Sequence, residues 1–209
     1  MVHELMIEKA QRYSKSGLMR LRATWMACAQ VDHDDIPGVF VECGVWRGGN
    51  VMVARWASPL RHCWLYDTFE GMTEPGEYDV KDKPGAKPLG NNWVGKLAVS
   101  VEAVTENMKE VEVWDADRFR FIKGDVRKTL LDESNLPEQI AVLRLDTDLY
   151  DSTKIEMEVL YPRLVSGGFL IVDDFGHWAG ARKAVIDYLG KGSRHLKSID
   201  YTGVWMIKP

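Results

Sequence analysis

Apolar and polar positions along the chain fall into blocks with two different periods. Leu18, Leu21, Trp25 and Cys28 recur every three or four residues, one face of an amphipathic helix. Asp34-Asp35-Ile36-Pro37-Gly38 breaks that pattern, and Val39 to Cys43 follows as a short run interrupted only by Glu42. Continuous apolar runs suit parallel strands covered on both faces. Cys63 to Tyr66, Phe119 to Ile122, Ile140 to Leu145 and Gly168 to Val172 read the same way. Helical patterns separate them: Leu97, Val101, Val104 and Met108 share one face, and Ile155, Val159 and Leu160 follow Ser152-Thr153, residues able to cap a helix. Near the C-terminus, Leu196 to Ile199 and Val204 to Ile207 flank Asp200-Tyr201-Thr202-Gly203 as a β-hairpin. The expectation is one α/β domain over residues 1–209, with a doubly wound, mainly parallel seven-stranded sheet closed by an antiparallel C-terminal hairpin. A helical segment, 1–35, precedes the sheet. Residues 72–96 carry proline and glycine without a sustained period, and a loop this long is expected to act as a lid.

Composition narrows the function classes. With 45% hydrophobic and 28% charged residues the chain is neither disordered nor fibrous. Its 27 Lys+Arg against 31 Asp+Glu give a net charge of -4 with no basic run, which argues against nucleic acid or an anionic membrane as partner. Three cysteines indicate no disulfide framework, and neither a signal-like nor a membrane-spanning apolar stretch is visible, so a cytoplasmic setting is expected. Of the eight tryptophans, most are expected in the core and one or more on a binding surface.

In open α/β sheets ligands bind beyond the carboxyl ends of the strands, so the residues that end each run carry the chemistry. Here they are acidic: Glu42, Asp67, Asp125, then Asp146 and Asp148, then Asp173 and Asp174. The first run leads into Gly44-Val45-Trp46-Arg47-Gly48-Gly49, a turn that lets backbone approach a ligand. Its Gly-x-x-x-Gly-Gly spacing departs from the dinucleotide fingerprint. Asp67, at the next strand end, suits a ribose diol or caps the following segment. A small zwitterion at the turn and a ribose at Asp67 together suggest S-adenosylmethionine. Up to four carboxylates from Asp146, Asp148, Asp173 and Asp174 at adjoining strand ends repel one another unless a hard cation such as Mg²⁺ intervenes, although two of them could be loop acids or caps. His177 could relay a proton, touch substrate or sit as a surface imidazole. No histidine or cysteine spacing favours zinc.

Several blocks, in order, are familiar as a set. Ile36-Pro37-Gly38 before Val41-Glu42-Cys43-Gly44-Val45-Trp46-Arg47-Gly48-Gly49, Leu65-Tyr66-Asp67-Thr68-Phe69-Glu70-Gly71-Met72, Leu143 to Thr153, Tyr161-Pro162-Arg163-Leu164, and Gly167 to Asp174 resemble the macrocin O-methyltransferase family. The resemblance implies a Rossmann-like class I methyltransferase fold, S-adenosylmethionine as methyl donor, Mg²⁺, a sugar hydroxyl as acceptor and a homo-oligomer. By matching position, Asp146, Asp173 and Asp174 look like metal ligands and Asp148 like the general base; His177, read from the residues alone, is the other candidate for that proton. Glu42, Cys43, Gly44, Val45, Trp46 and Gly48, with Asp67, Thr68, Phe69, Asp125 and Asp146, are the expected cofactor contacts. A metal-chelated acceptor would favour vicinal diols. The competing readings are a haloacid dehalogenase-like phosphatase, through Asp146-Thr147-Asp148, and a non-catalytic nucleoside-binding or receiver-like module.

Overall fold

The computed structural model describes residues 2–81, 87 and 89–209. Strands β1 (Val39–Cys43), β2 (Cys63–Asp67), β3 (Phe119–Lys123), β4 (Ile140–Leu145), β5 (Leu164–Val172), β6 (Lys197–Ser198) and β7 (Val204–Ile207) form one sheet in the order β3-β2-β1-β4-β5-β7-β6. The first five run parallel, and β7 pairs antiparallel with both β5 and β6. The connections around the sheet are α1 (Val2–Ala10), α2 (Leu18–His33), α3 (Gly49–Ala57), α4 (Val101–Glu110), α5 (Val126–Thr129), α6 (Tyr150–Val159) and α7 (Ala179–Leu189).

Successive strand residues point to opposite faces, so the continuous apolar runs supply two cores. Phe40, Val142 and Ile171 pack with Leu21, Cys28, Val51 and Met108 from α2, α3 and α4. Val41, Leu143 and Leu170 pack with Met157 and Val185 from α6 and α7. The order of the strands reverses between β1 and β4, which opens a crevice at their carboxyl ends. Among the described residues, no helix is long and apolar enough to cross a membrane.

The elements follow the apolar pattern with four differences. Leu97 lies outside α4 with a φ of 66°, and the helix starts after Ser100, whose hydroxyl accepts the Ala103 N–H at 3.3 Å. Helix α6 starts at Tyr150, so Ser152 and Thr153 are buried within it and do not cap it. Strand β5 begins at Leu164, four residues ahead of Gly168, and the first arm of the hairpin shrinks to Lys197–Ser198. Of the loop 72–96, residues 82–86 and 88 lie outside the described residues. The remainder holds one helical turn, Asn91–Trp93, and a bridge from Lys81 to Trp178.

Candidate active site

The glycine-rich turn is shaped by what it must pass. Gly44 has φ +86°, and a Cβ there would lie 2.0 Å from the Asp146 carbonyl oxygen, so only glycine lets the chain leave β1 beside the end of β4. Asp67, ending β2, ties this turn down. One carboxylate oxygen accepts the Val45 and Trp46 N–H groups at 2.7 and 3.1 Å, and the other accepts the Phe69 N–H at 2.8 Å. A carboxylate has about four acceptor sites, so Asp67 keeps capacity for a hydroxyl in the cleft it lines.

That cleft has a volume of about 400 Å³, within the range of small-molecule sites. Of the residues expected there, Gly44, Trp46, Asp67, Thr68, Asp125, Asp146, Asp148, Asp173, Asp174 and His177 line it. Glu42, Cys43, Val45, Gly48 and Phe69 do not; they are buried. Asp125 accepts the Arg127 backbone N–H at 2.9 Å and pairs with its guanidinium at 2.6 Å, which holds its carboxyl below the usual range despite partial burial. Trp46, Trp93 and Trp178 line the cleft, so three of the tryptophans face a ligand space.

In the same cleft, Asp146, Asp148 and Asp174 each bring a carboxylate oxygen within 4.8 Å of the others. Desolvation, followed by the charge of Asp173, pushes the Asp146 carboxyl well above its usual range; for Asp174 desolvation is followed by the charge of Asp148. Desolvation outweighs a hydrogen bond from Asp174 and pushes Asp148 up to about 7. Three crowded oxygens of this kind are a donor set that fits a hard divalent cation, whose charge would relieve the crowding. Asp148 also has a φ of 66°, in a three-residue turn closed by the Leu149 N–H on the Thr147 carbonyl at 2.7 Å. Left-handed backbone at a non-glycine residue persists only where the surroundings impose it.

Asp173, a metal ligand in the set the resemblance implies, lines the cleft, and both its oxygens are also engaged by side chains. One of its oxygens meets Arg144 and, at 3.1 Å, the Ser16 hydroxyl; the other meets Arg20. The register explains this. Glu42 and Arg144 are partners across β1 and β4, and Arg144 faces Ile171 on β5, so Glu42, Arg144, Asp146 and Asp173 fall on one face of the sheet. Arg144, fully buried, donates to Glu42 and Asp146 at 2.8 Å each and to Ser16. Arg20 bridges Asp173 and Asp200, the latter at 3.0 Å. Burial still pushes Glu42 up to about 8, with Arg144 opposing and the charges of Asp146 and Asp173 adding to the rise.

Arg144, Arg20 and Ser16 escaped the sequence reading, although one signal was present. Arg144 is the lone charge in a six-residue apolar strand, and such a charge needs a buried partner. Glu42 is the matching acid in Val39–Cys43. His177 is in the cleft, its ring edge-on to Trp178 at 4.8 Å, and desolvation, aided by Lys81 and Arg20, lowers its pKa, so the imidazole is neutral near pH 7.

A family model described as Macrocin-O-methyltransferase (TylF) matches residues 9–208. The chain belongs to the macrocin O-methyltransferase family. As a member it is an S-adenosylmethionine-dependent O-methyltransferase, and the phosphatase and receiver readings fall away. Among its relatives is 8-demethyl-8-(2,3-dimethoxy-alpha-L-rhamnosyl)-tetracenomycin-C 4'-O-methyltransferase of Streptomyces olivaceus, 39% identical, with 90% of this chain and 73% of the relative covered. Demethyldecarbamoylnovobiocin O-methyltransferase of Streptomyces niveus is 33% identical over 94% of this chain and 76% of its own. The solved O-methyltransferase NovP superposes with a TM-score of 0.80 at 31% identity, covering 94% of this chain and 82% of that one. The sheet order with its antiparallel C-terminal hairpin is the class I methyltransferase fold, as expected.

Within this family member the Gly44 turn has a direct test. Placing alanine at a +86° φ against a carbonyl costs about 1–3 kcal/mol of strain. Gly44→Ala is expected to shift the turn in the free protein, and regaining the binding geometry then weakens S-adenosylhomocysteine binding roughly 5- to 150-fold by calorimetry. Affinity within twofold of wild type would show that the turn does not shape the cofactor site.

Proposed function

We propose that the enzyme transfers the methyl group of S-adenosylmethionine to a sugar hydroxyl of a glycosylated natural product, with Mg²⁺ bound at the acidic end of the cleft. The observation that carries this reading is the meeting of Asp146, Asp148 and Asp174 in the same cleft as the Gly44 turn and Asp67. The names of the Streptomyces olivaceus relative and of mycinamicin III 3''-O-methyltransferase from Micromonospora griseorubida, 32% identical, support methylation of a glycoside.

The residue roles in this proposal are those the resemblance implies, with the cation ligands changed. The Gly44 to Trp46 backbone would receive the amino-acid end of the cofactor, Asp67 its ribose and Asp125 its adenine; all line the cleft except Val45. Asp146, Asp148 and Asp174 would hold the cation, in place of the set with Asp173. When bound, the cation lowers the pKa of a coordinated hydroxyl and favours an acceptor with two neighbouring oxygens, a vicinal diol. Asp148 takes the hydroxyl proton. An ordinary aspartate, with pKa about 3.9, is a weak base, so Asp148 must act on a hydroxyl whose own pKa is lowered. His177, neutral and against Trp178, contacts the acceptor or relays the proton outward.

The test is methyl transfer from labelled S-adenosylmethionine to a panel of rhamnosides and related glycosides, with and without excess chelator. Activity is expected to vanish on chelation and to return with Mg²⁺. Undiminished turnover in chelator would refute the cation's part, and label on the aglycone alone would refute the sugar acceptor.

A further inference from the structure

The stretch from Met72 to Lys81 has no regular structure, yet it contains a buried carboxylate. Asp79 is 1% exposed. One of its oxygens accepts the Tyr150 backbone N–H at 2.7 Å, and the other accepts the Gly76 N–H at 2.7 Å. The first contact caps α6, whose own N-cap position, Leu149, has no side chain that can accept a hydrogen bond. The capping group therefore comes from a segment some seventy residues earlier in the chain.

Several neighbours keep the carboxylate there. A Cβ at Gly180, in the first turn of α7, would stand 2.1 Å from the Asp79 oxygen, so α7 leaves a gap where the carboxylate passes. The Val80 carbonyl accepts the Ala179 N–H at 3.0 Å, and the Tyr78 ring packs on Tyr150 with centroids 4.6 Å apart. Tyr150 lies two residues after Asp148, the residue with left-handed backbone. On the other side of Asp148, the Thr147 hydroxyl donates to the buried Glu156 of α6 at 2.9 Å. Asp148 is thus bracketed, with Glu156 fixing the residue before it and Asp79 the helix start after it. Met72 and Thr73, at the near end of the same stretch, line the cleft.

We propose that Asp79 is a positioning residue: it latches residues 72–81 to the start of α6 and thereby holds Asp148 in its left-handed conformation beside Asp146 and Asp174. The segment over the cleft and the acidic turn then keep each other in place. The importance of this for catalysis rests on the role proposed above for Asp148; the latch itself does not.

Hydrogen exchange on the full-length enzyme without ligands tests it, using Asp79→Ala, Asp79→Asn and Gly180→Ala. Alanine suits a helix, and its Cβ at 180 would stand 2.1 Å from the Asp79 oxygen and 3.0 Å from the Tyr150 nitrogen, so Gly180→Ala displaces an unaltered carboxylate but also presses on the start of α6. Protection retained in it still overturns the latch, while a rise counts only together with Asp79→Ala and recovery in Asp79→Asn. Exchange in peptides covering 146–153 is expected to rise at least about tenfold in both alanine variants. Asp79→Asn keeps an acceptor oxygen for the Tyr150 N–H and is expected to regain most of the protection. Mn²⁺ affinity, followed by electron paramagnetic resonance, should fall in Asp79→Ala while S-adenosylhomocysteine affinity stays within about twofold. Wild-type protection of 146–153 in both alanine variants would overturn the proposal, and so would a uniform rise across the sheet. A wild-type enzyme that binds no Mn²⁺ would sink the cation reading alone, because the exchange result decides the latch independently.

Discussion

Asp148→Asn is expected to lower kcat by about 10²–10⁴-fold, the usual contribution of a positioned general base. The amide cannot accept the hydroxyl proton, and its neutral oxygen is a weaker cation donor than the carboxylate oxygen that meets two others within 4.8 Å. Binding of S-adenosylhomocysteine should survive, because the Gly44 turn and Asp67 are held by their own hydrogen bonds. His177→Ala, which removes a ring lying against Trp178 at the cleft wall, is expected to cost less. Steady-state kinetics on the same acceptor separates the two roles. A larger loss in His177→Ala than in Asp148→Asn would transfer the base to the histidine.

The second large effect is on stability. Arg144 is the shared cation of Glu42, Asp146 and Asp173, with no exposed surface of its own. Arg144→Met leaves these acids buried without it, and breaking a buried pair from one side costs about 3–5 kcal/mol. At about 2–4 °C per kcal/mol for a chain of this size, Tm should fall by about 6–20 °C. Arg144→Lys is expected to recover little, because one ammonium cannot replace a planar fork that reaches Glu42 and Asp146 through one nitrogen and Ser16 and Asp173 through the other. Thermal melts check this, and an unchanged Tm for Arg144→Met would show that the acids are neutralised in another way.

The parts of the molecule that could be read from sequence are those set by local pattern. The runs at Val39–Cys43 and Ile140–Leu145 are strands with the expected bounds because burial on both faces demands near-continuous apolar stretches, each here broken by one charge. The acids that follow them stand at one sheet edge because parallel strands share a direction. What stayed hidden depends on segments far apart in the chain. Asp173 differs from its neighbour Asp174 because it falls on the Arg144 face of the sheet and is met there by Ser16 and Arg20 from the N-terminal segment. Ser152 and Thr153 look like caps, and Asp79 takes that place from a loop. Leu97 continues a helical spacing, yet the helix begins later, at the cap Ser100.

The central claim is that Asp146, Asp148 and Asp174 hold a divalent cation while the two arginines keep Asp173. Anomalous diffraction from crystals soaked in Mn²⁺ and S-adenosylhomocysteine tests it most directly. The account predicts one peak among the oxygens of Asp146, Asp148 and Asp174, with Asp173 still against Arg20 and Arg144. A peak ligated by Asp173 in place of Asp148, or no peak in the cleft at saturating Mn²⁺, would contradict it.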